Sequence, residues 1–107
     1  MELIRMSEAP TFTTPAGFTA RTLLDNQAFT VVNLILKPGE TVEKHTTPVD
    51  LFFYVIRGSG KIQVEDEEAT VVQTDIVFSP KNTSRGLQAS PVEELHVLVV
   101  RNPISNG

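Results

Sequence analysis

A chain of 107 residues with 40% hydrophobic and 21% charged residues is one globular domain's worth of sequence, too short for two cores and too apolar to stay disordered. The formal charge of -4 and pI near 5.0 leave no basic excess for neutralising phosphates, which argues against nucleic acid as a partner. The absence of cysteine excludes disulfides, thiolate metal ligands and a cysteine nucleophile, so stability must come from packing.

The opening MELIRMSEAPTF has neither the basic start and apolar run of a signal peptide nor a small-residue cleavage pattern, and no later apolar run reaches membrane-spanning length. The expectation is a cytoplasmic protein with no membrane contact. No sustained helical period of apolar residues occurs, whereas short runs rich in Val, Ile, Thr and Phe recur between turn signals. In chain order the predicted strands are Phe18 to Leu24, Phe29 to Leu36, Thr41 to His45, Leu51 to Arg57 and Gly60 to Glu65. After these come Ala69 to Gln73, Asp75 to Ser79, Ser84 to Ala89 and Glu94 to Arg101. Pro38-Gly39 breaks the chain, Gly58-Ser59-Gly60 predicts a tight hairpin, and Glu65-Asp66-Glu67-Glu68 predicts a solvated turn. Pro80 ends a strand because it cannot donate to the next ladder bond. The tail from Ser105 to Gly107 is expected to fray.

Many short strands at regular spacing predict an all-β sandwich or barrel in one domain. The run Leu51-Phe52-Phe53-Tyr54-Val55-Ile56 is apolar on both faces. One face fills the interior and the other needs a cover. A second copy of the chain is the expected cover, giving a homodimer with Phe52, Tyr54 and Ile56 near its interface. The alternative cover is the N-terminal segment of the same chain.

From Gly39 to Gly58 the chain reads GETVEKHTTPVDLFFYVIRG, which resembles the first motif of the cupin barrels: a glycine, five residues, a histidine, and a hydrophobic strand ending in a second glycine. From Thr74 it reads TDIVFSPKNTSRGLQA, similar to the second motif, in which a glycine normally stands where Thr74 is and Asp75 and Pro80 fall in the expected places. The closing VVRNP is similar to the family's last strand, so the resemblance covers roughly 29–103 of a single cupin domain spanning 1–107. It implies a double-stranded β-helix of jelly-roll topology, open at one end where family members hold metal and substrate.

The resemblance also implies a ligand set of two histidines one residue apart, a glutamate, and a histidine from the second motif. His45 stands at the first of these positions, Thr47 at the second, Leu51 at the third and Arg85 at the last. Asp50 beside the glutamate position would need a bulge to face inward. His96 on the last strand is the other potential donor, so a divalent transition metal, if bound, would be held by His45 and His96. That set is poor for iron, nickel or zinc, and a guanidinium at position 85 puts a fixed positive charge where the cation belongs. The expectation is no metal cofactor.

An arginine and a histidine converging in an apolar barrel suit an anion. The predicted ligand is a small acid gripped by Arg85 and contacted by His45, Thr47 and His96, between walls formed by Leu51, Phe53, Val55, Phe78 and Leu98. Three functional classes follow. The first is a small-molecule-binding module. The second is an enzyme, either a metal-free isomerase or lyase with His45 as catalytic base, or an oxygenase with an irregular metal site. The third is a dimeric interaction protein with a filled barrel. Whether any reaction is catalysed stays open in the sequence.

Overall fold

The computed structural model describes residues 1–103, so the tail expected to fray at Ser105 to Gly107 lies outside the described residues. After a 3-10 turn at Met6–Glu8 come β1 (Phe12–Thr13), β2 (Thr19–Asp25), β3 (Thr30–Leu36), β4 (Thr41–Thr46) and β5 (Leu51–Val64). They are followed by β6 (Glu67–Val72), β7 (Ile76–Ser79), β8 (Ser84–Ala89) and β9 (Leu95–Arg101). All pairings are antiparallel, in the order β1-β2-β3-β9-β5-β8-β4, with β6 and β7 also paired to β5. Two curled sheets share β5, the jelly-roll arrangement expected of a double-stranded β-helix. Among the described residues no helix is long and apolar enough to cross a membrane.

Strand β5 corrects the predicted hairpin at Gly58-Ser59-Gly60, because the chain runs straight through it as one 14-residue strand. Its first half pairs with β7 and β9, its second half with β6 and β8. The register against β9 slips between Val55 and Arg57, so Ile56 is an extra residue in a bulge, and Gly58 takes φ 84 just after it. A glycine in a strand interior serves a bend as well as it serves a turn, and composition alone does not separate the two. The slip has a further effect. Leu51, Phe53 and Val55 are buried before the bulge and Gly60 and Ile62 after it, so the inward side changes from odd to even positions.

The core lies between the two sheets, where Leu36, Val55, Ile62, Val71, Leu95 and Val97 are essentially sealed from water. Each such aliphatic side chain contributes about 1.5 to 3 kcal/mol relative to exposure. The predicted acidic turn is shorter than expected. Only Glu65 and Asp66 form it, while Glu67 and Glu68 open β6, where Glu68 accepts from Gln63 Nε2 at 2.9 Å and meets Lys61 Nζ at 3.9 Å. Strand β1, two residues long, carries no alternation signal and was not predicted.

The N-terminal segment covers only part of the outer surface. Arg21 donates from Nε to Ala9 O at 3.1 Å and from Nη1 to Asn33 Oδ1 at 3.1 Å, and Asn33 Nδ2 donates to Val97 O at 3.3 Å. This network closes over Asn33 and stops there. Beyond it Phe52 lies between Val100 and Phe78, and Tyr54 between Leu98 and Ile76. Of these, Phe52, Ile76 and Phe78 are exposed, with Ile76 and Phe78 at 63% and 58%. The outward side of the first half of β5 is therefore apolar, and Phe52 on it is exposed.

Two positions test the backbone argument in opposite directions. A Cβ at Gly58 would sit 1.8 Å from the carbonyl oxygen of Glu94 at a positive φ, so Gly58→Ala is expected to lose about 2 kcal/mol or more. Thr74 is an exposed β-branched residue at φ 77, so Thr74→Gly is expected to gain about 0.5 to 1 kcal/mol. Urea unfolding of both variants checks the pair, and equal signs would refute it.

Candidate functional site

One end of the barrel is not packed solid. A cavity of about 280 Å³ opens there, near the lower end of the size of small-molecule sites. Its apolar walls are Leu34, Val42, Leu51, Phe53, Leu87 and Val99, and its polar lining is His45, Thr47, Arg85 and Arg101. Among the described residues no carboxylate lines it.

A second bulge aims the polar side chains. Strand β4 pairs Val42 with Leu87 and His45 with Arg85, so Glu43 and Lys44 of β4 together face Gly86 of β8. The extra residue turns His45 and Thr47 to the side already occupied by Val42, and all three reach the cavity. Gly86 lies opposite this bulge, where an added Cβ would meet Val42 O at 2.8 Å. The glycine admits the bulge, and the bulge admits His45 to the site.

Arg85 sits directly across from His45 and is 3% exposed. Its one side-chain hydrogen bond among the described residues runs from Nη1 to Thr83 O at a long 3.4 Å. No carboxylate is close enough to form an ion pair with it there. Glu65, on the β5–β6 turn next to Val64, which pairs with Arg85, accepts instead from Ser84 N at 3.1 Å and Ser84 Oγ at 3.4 Å. Burial first, and then the charge of Arg101, hold the Arg85 guanidinium below its ordinary pKa. Thr47 Oγ1 is buried with no hydrogen-bond partner. A polar group sealed without a partner costs about 1 to 3 kcal/mol, so the site holds unmet donors and acceptors.

His45 is at the exposed rim, its Nδ1 3.3 Å from Glu43 O. Among the described residues no carboxylate pairs with its ring. Of the predicted site residues, His45, Thr47, Arg85, Leu51 and Phe53 therefore converge. Val55 is buried deeper in the core rather than on the cavity wall.

Three expectations are corrected by strand parity. His96 lies outside the cavity, beside Arg57 on β5, with Nε2 3.0 Å from Glu94 Oε1. That bond is the main reason the Glu94 carboxyl is held below its usual pKa. Leu98 shares the outward side of β9 with His96, and Val99 takes the inward place. Phe78 is 58% exposed on the outer surface. The missed residue is Arg101, which follows Val97 and Val99 at the inward spacing of β9. Parity pointed to it, but a strand apolar on both faces hides which parity is inward.

The ligand positions implied by the fold do not suit a divalent metal. They present an imidazole, an unpaired hydroxyl, an isobutyl group and a buried guanidinium, and neither substitute proposed for them reaches the cavity. Asp50 is exposed and accepts from Lys81 N at 2.8 Å, and His96 is occupied by Glu94. Among the described residues no three His, Asp or Glu side chains gather in a metal-binding group.

A shared strand, two curled sheets and a single-ended interior site define a jelly-roll barrel protein. The cupin domain model matches residues 32–101, and the chain belongs to the cupin family. A search of curated protein sequences found no match. Among solved structures, the chain is similar to KdgF from Halomonas sp., with a TM-score of 0.85 at 16% identity over 99% of this chain and 97% of that one. It is also similar to a predicted oxalate decarboxylase from Thermotoga maritima, with a TM-score of 0.83 at 19% identity, covering 96% and 100% of the two chains. The polyketide cyclase RemF from Streptomyces resistomycificus gives a TM-score of 0.84 at 19% identity, covering 99% and 88%. Likeness at these identities establishes a shared fold.

A buried charge with no counter-charge is a cost to the free protein. Arg85→Met keeps most of the side-chain volume and removes the charge, and is expected to stabilise the unliganded protein by about 1 to 3 kcal/mol. Thermal unfolding in a buffer free of organic acids and phosphate checks this; a loss of stability would mean that Arg85 is a structural residue.

Proposed function

We propose that this cupin is a small-molecule-binding module whose ligand is a small organic acid, gripped by Arg85 and contacted by His45 and Thr47, with no tightly bound metal. The observation that carries the reading is the buried guanidinium of Arg85, which has one long hydrogen bond and no carboxylate in reach among the described residues. An acid would supply the missing acceptor through two parallel bonds, and the orphaned Thr47 hydroxyl would complete its hydrogen bonding.

The test is thermal unfolding against a panel of small carboxylates, with metal content measured on the same chelator-free preparations. At least one acid is expected to raise the midpoint in a concentration-dependent way, worth about 2.7 kcal/mol at a hundredfold excess over its Kd. Arg85→Gln is expected to abolish the shift, and His45→Ala to weaken binding several-fold. Near-stoichiometric metal that disappears in His45→Ala would replace this reading with a metal site.

We further propose that the open apolar side of β5 pairs with a second copy of the chain. Phe52, Phe78 and Ile76 form one exposed patch, and the N-terminal segment that might have covered it is engaged at Asn33. Phe52→Glu with Phe78→Glu is expected to convert a dimer to a folded monomer, as read by light scattering and circular dichroism. A monomeric wild-type protein at micromolar concentration would refute the pairing.

A further inference from the structure

We infer that the ligand is a compact dianion whose two negative charges are shared between Arg85 and Arg101. The inference rests on the small-acid reading and adds to it the charge and valence of the ligand.

The two guanidiniums come from different sheets. Arg85 stands on β8, and Arg101 ends β9, paired with Leu51 on one side and Thr30 on the other. Both line the same cavity. Arg101 is half-buried at the inward position of its strand, and among the described residues it forms neither an ion pair nor a side-chain hydrogen bond. Among the described residues the cavity thus carries two fixed positive charges and no negative one in an apolar wall. Their mutual effect is visible in Arg85, whose pKa is lowered partly by the charge of Arg101. Two like charges on the wall of one apolar cavity repel each other. A monoanion satisfies one guanidinium and leaves the other repelled; a dianion satisfies both and cancels the repulsion.

Size limits the choice. A cavity of about 280 Å³ accommodates a short dicarboxylate or a phosphate monoester, and excludes a nucleotide-sized ligand. Thr47 Oγ1, the buried side-chain oxygen without a partner, is available to a third polar atom of the ligand. The chemistry shared by both candidate sources is two negative charges carried on a small frame.

Isothermal titration with paired probes tests this: malonate against its monoamide, succinate against its monoamide, and inorganic phosphate against methyl methylphosphonate. At low ionic strength the dianion of at least one pair is expected to bind about tenfold or more tightly than its monoanionic partner. Arg101→Gln is expected to bring that ratio below threefold while leaving the monoanion's affinity within about twofold of wild type, and Arg101→Lys to restore part of the ratio. The phosphate pair or a dicarboxylate pair showing the larger ratio identifies the source. A wild-type ratio below threefold with binding still dependent on Arg85, or a ratio unchanged in Arg101→Gln, overturns the dianion inference and leaves the small-acid reading standing. Binding of no probe, or binding unaffected by Arg85→Gln, overturns both.

Discussion

Both sheets of this barrel hang on one strand, and that strand can serve both because its backbone bulges at Ile56 and turns at Gly58. Strand β5 pairs with four others. A regular strand of 14 residues would keep its odd positions on one side throughout. With one extra residue the inward set passes from Leu51, Phe53 and Val55 to Gly60 and Ile62, so each half of the strand faces the interior of its own sheet. The glycines at 58 and 60 make the crowding at this corner possible. A Cβ at either would strike a neighbouring carbonyl oxygen, that of Glu94 or Gln88.

The second bulge repeats the device at the mouth of the barrel. In β4 it turns His45 and Thr47 inward, opposite Gly86, and so sets the side chains that meet Arg85. Packing and function divide along the barrel's length. Leu36, Ile62, Val71 and Leu95 close one end completely, whereas at the other end apolar walls stop short of Arg85 and Arg101 and leave space between them. The rigid closed end holds the open end's polar groups in place, so the unmet hydrogen-bonding capacity of Arg85 and Thr47 is not relieved by local collapse.

The fold was legible because it rests on features that sequence displays directly: alternating short strands, Pro38-Gly39, Pro80, and the spacing between His45, Gly58 and Asp75. Most of the site was legible for the same reason, since His45, Thr47, Leu51 and Arg85 occupy positions that the family pattern places at the barrel mouth. What escaped was parity. The segment Leu95 to Arg101 is apolar on both faces, so nothing in its composition says that Val97, Val99 and Arg101 point inward and His96 and Leu98 outward. Phe78 failed similarly, because an aromatic residue in a short apolar strand reads as core whether it packs inside or lies on an outer surface. The Gly58-Ser59-Gly60 run failed for a different reason. Glycine relieves the same steric constraint in a turn and in a bulge, and only the pairing of β5 with four partners tells which was needed.

A protein selected for stability alone would not keep Arg85. A methionine or leucine would fill its place, remove a desolvated charge and relieve the repulsion from Arg101. The neighbouring residues offer no internal compensation: the carboxylate of Glu65 is turned to Ser84, Asp50 to Lys81, and Glu94 to His96 on the far side of its strand. The acids at positions 50, 65 and 94 are thus each engaged elsewhere while the guanidinium is left with a carbonyl at 3.4 Å. Stability given up at one buried position is what a binding site asks of a fold, and it is the ground on which the small-acid proposal stands.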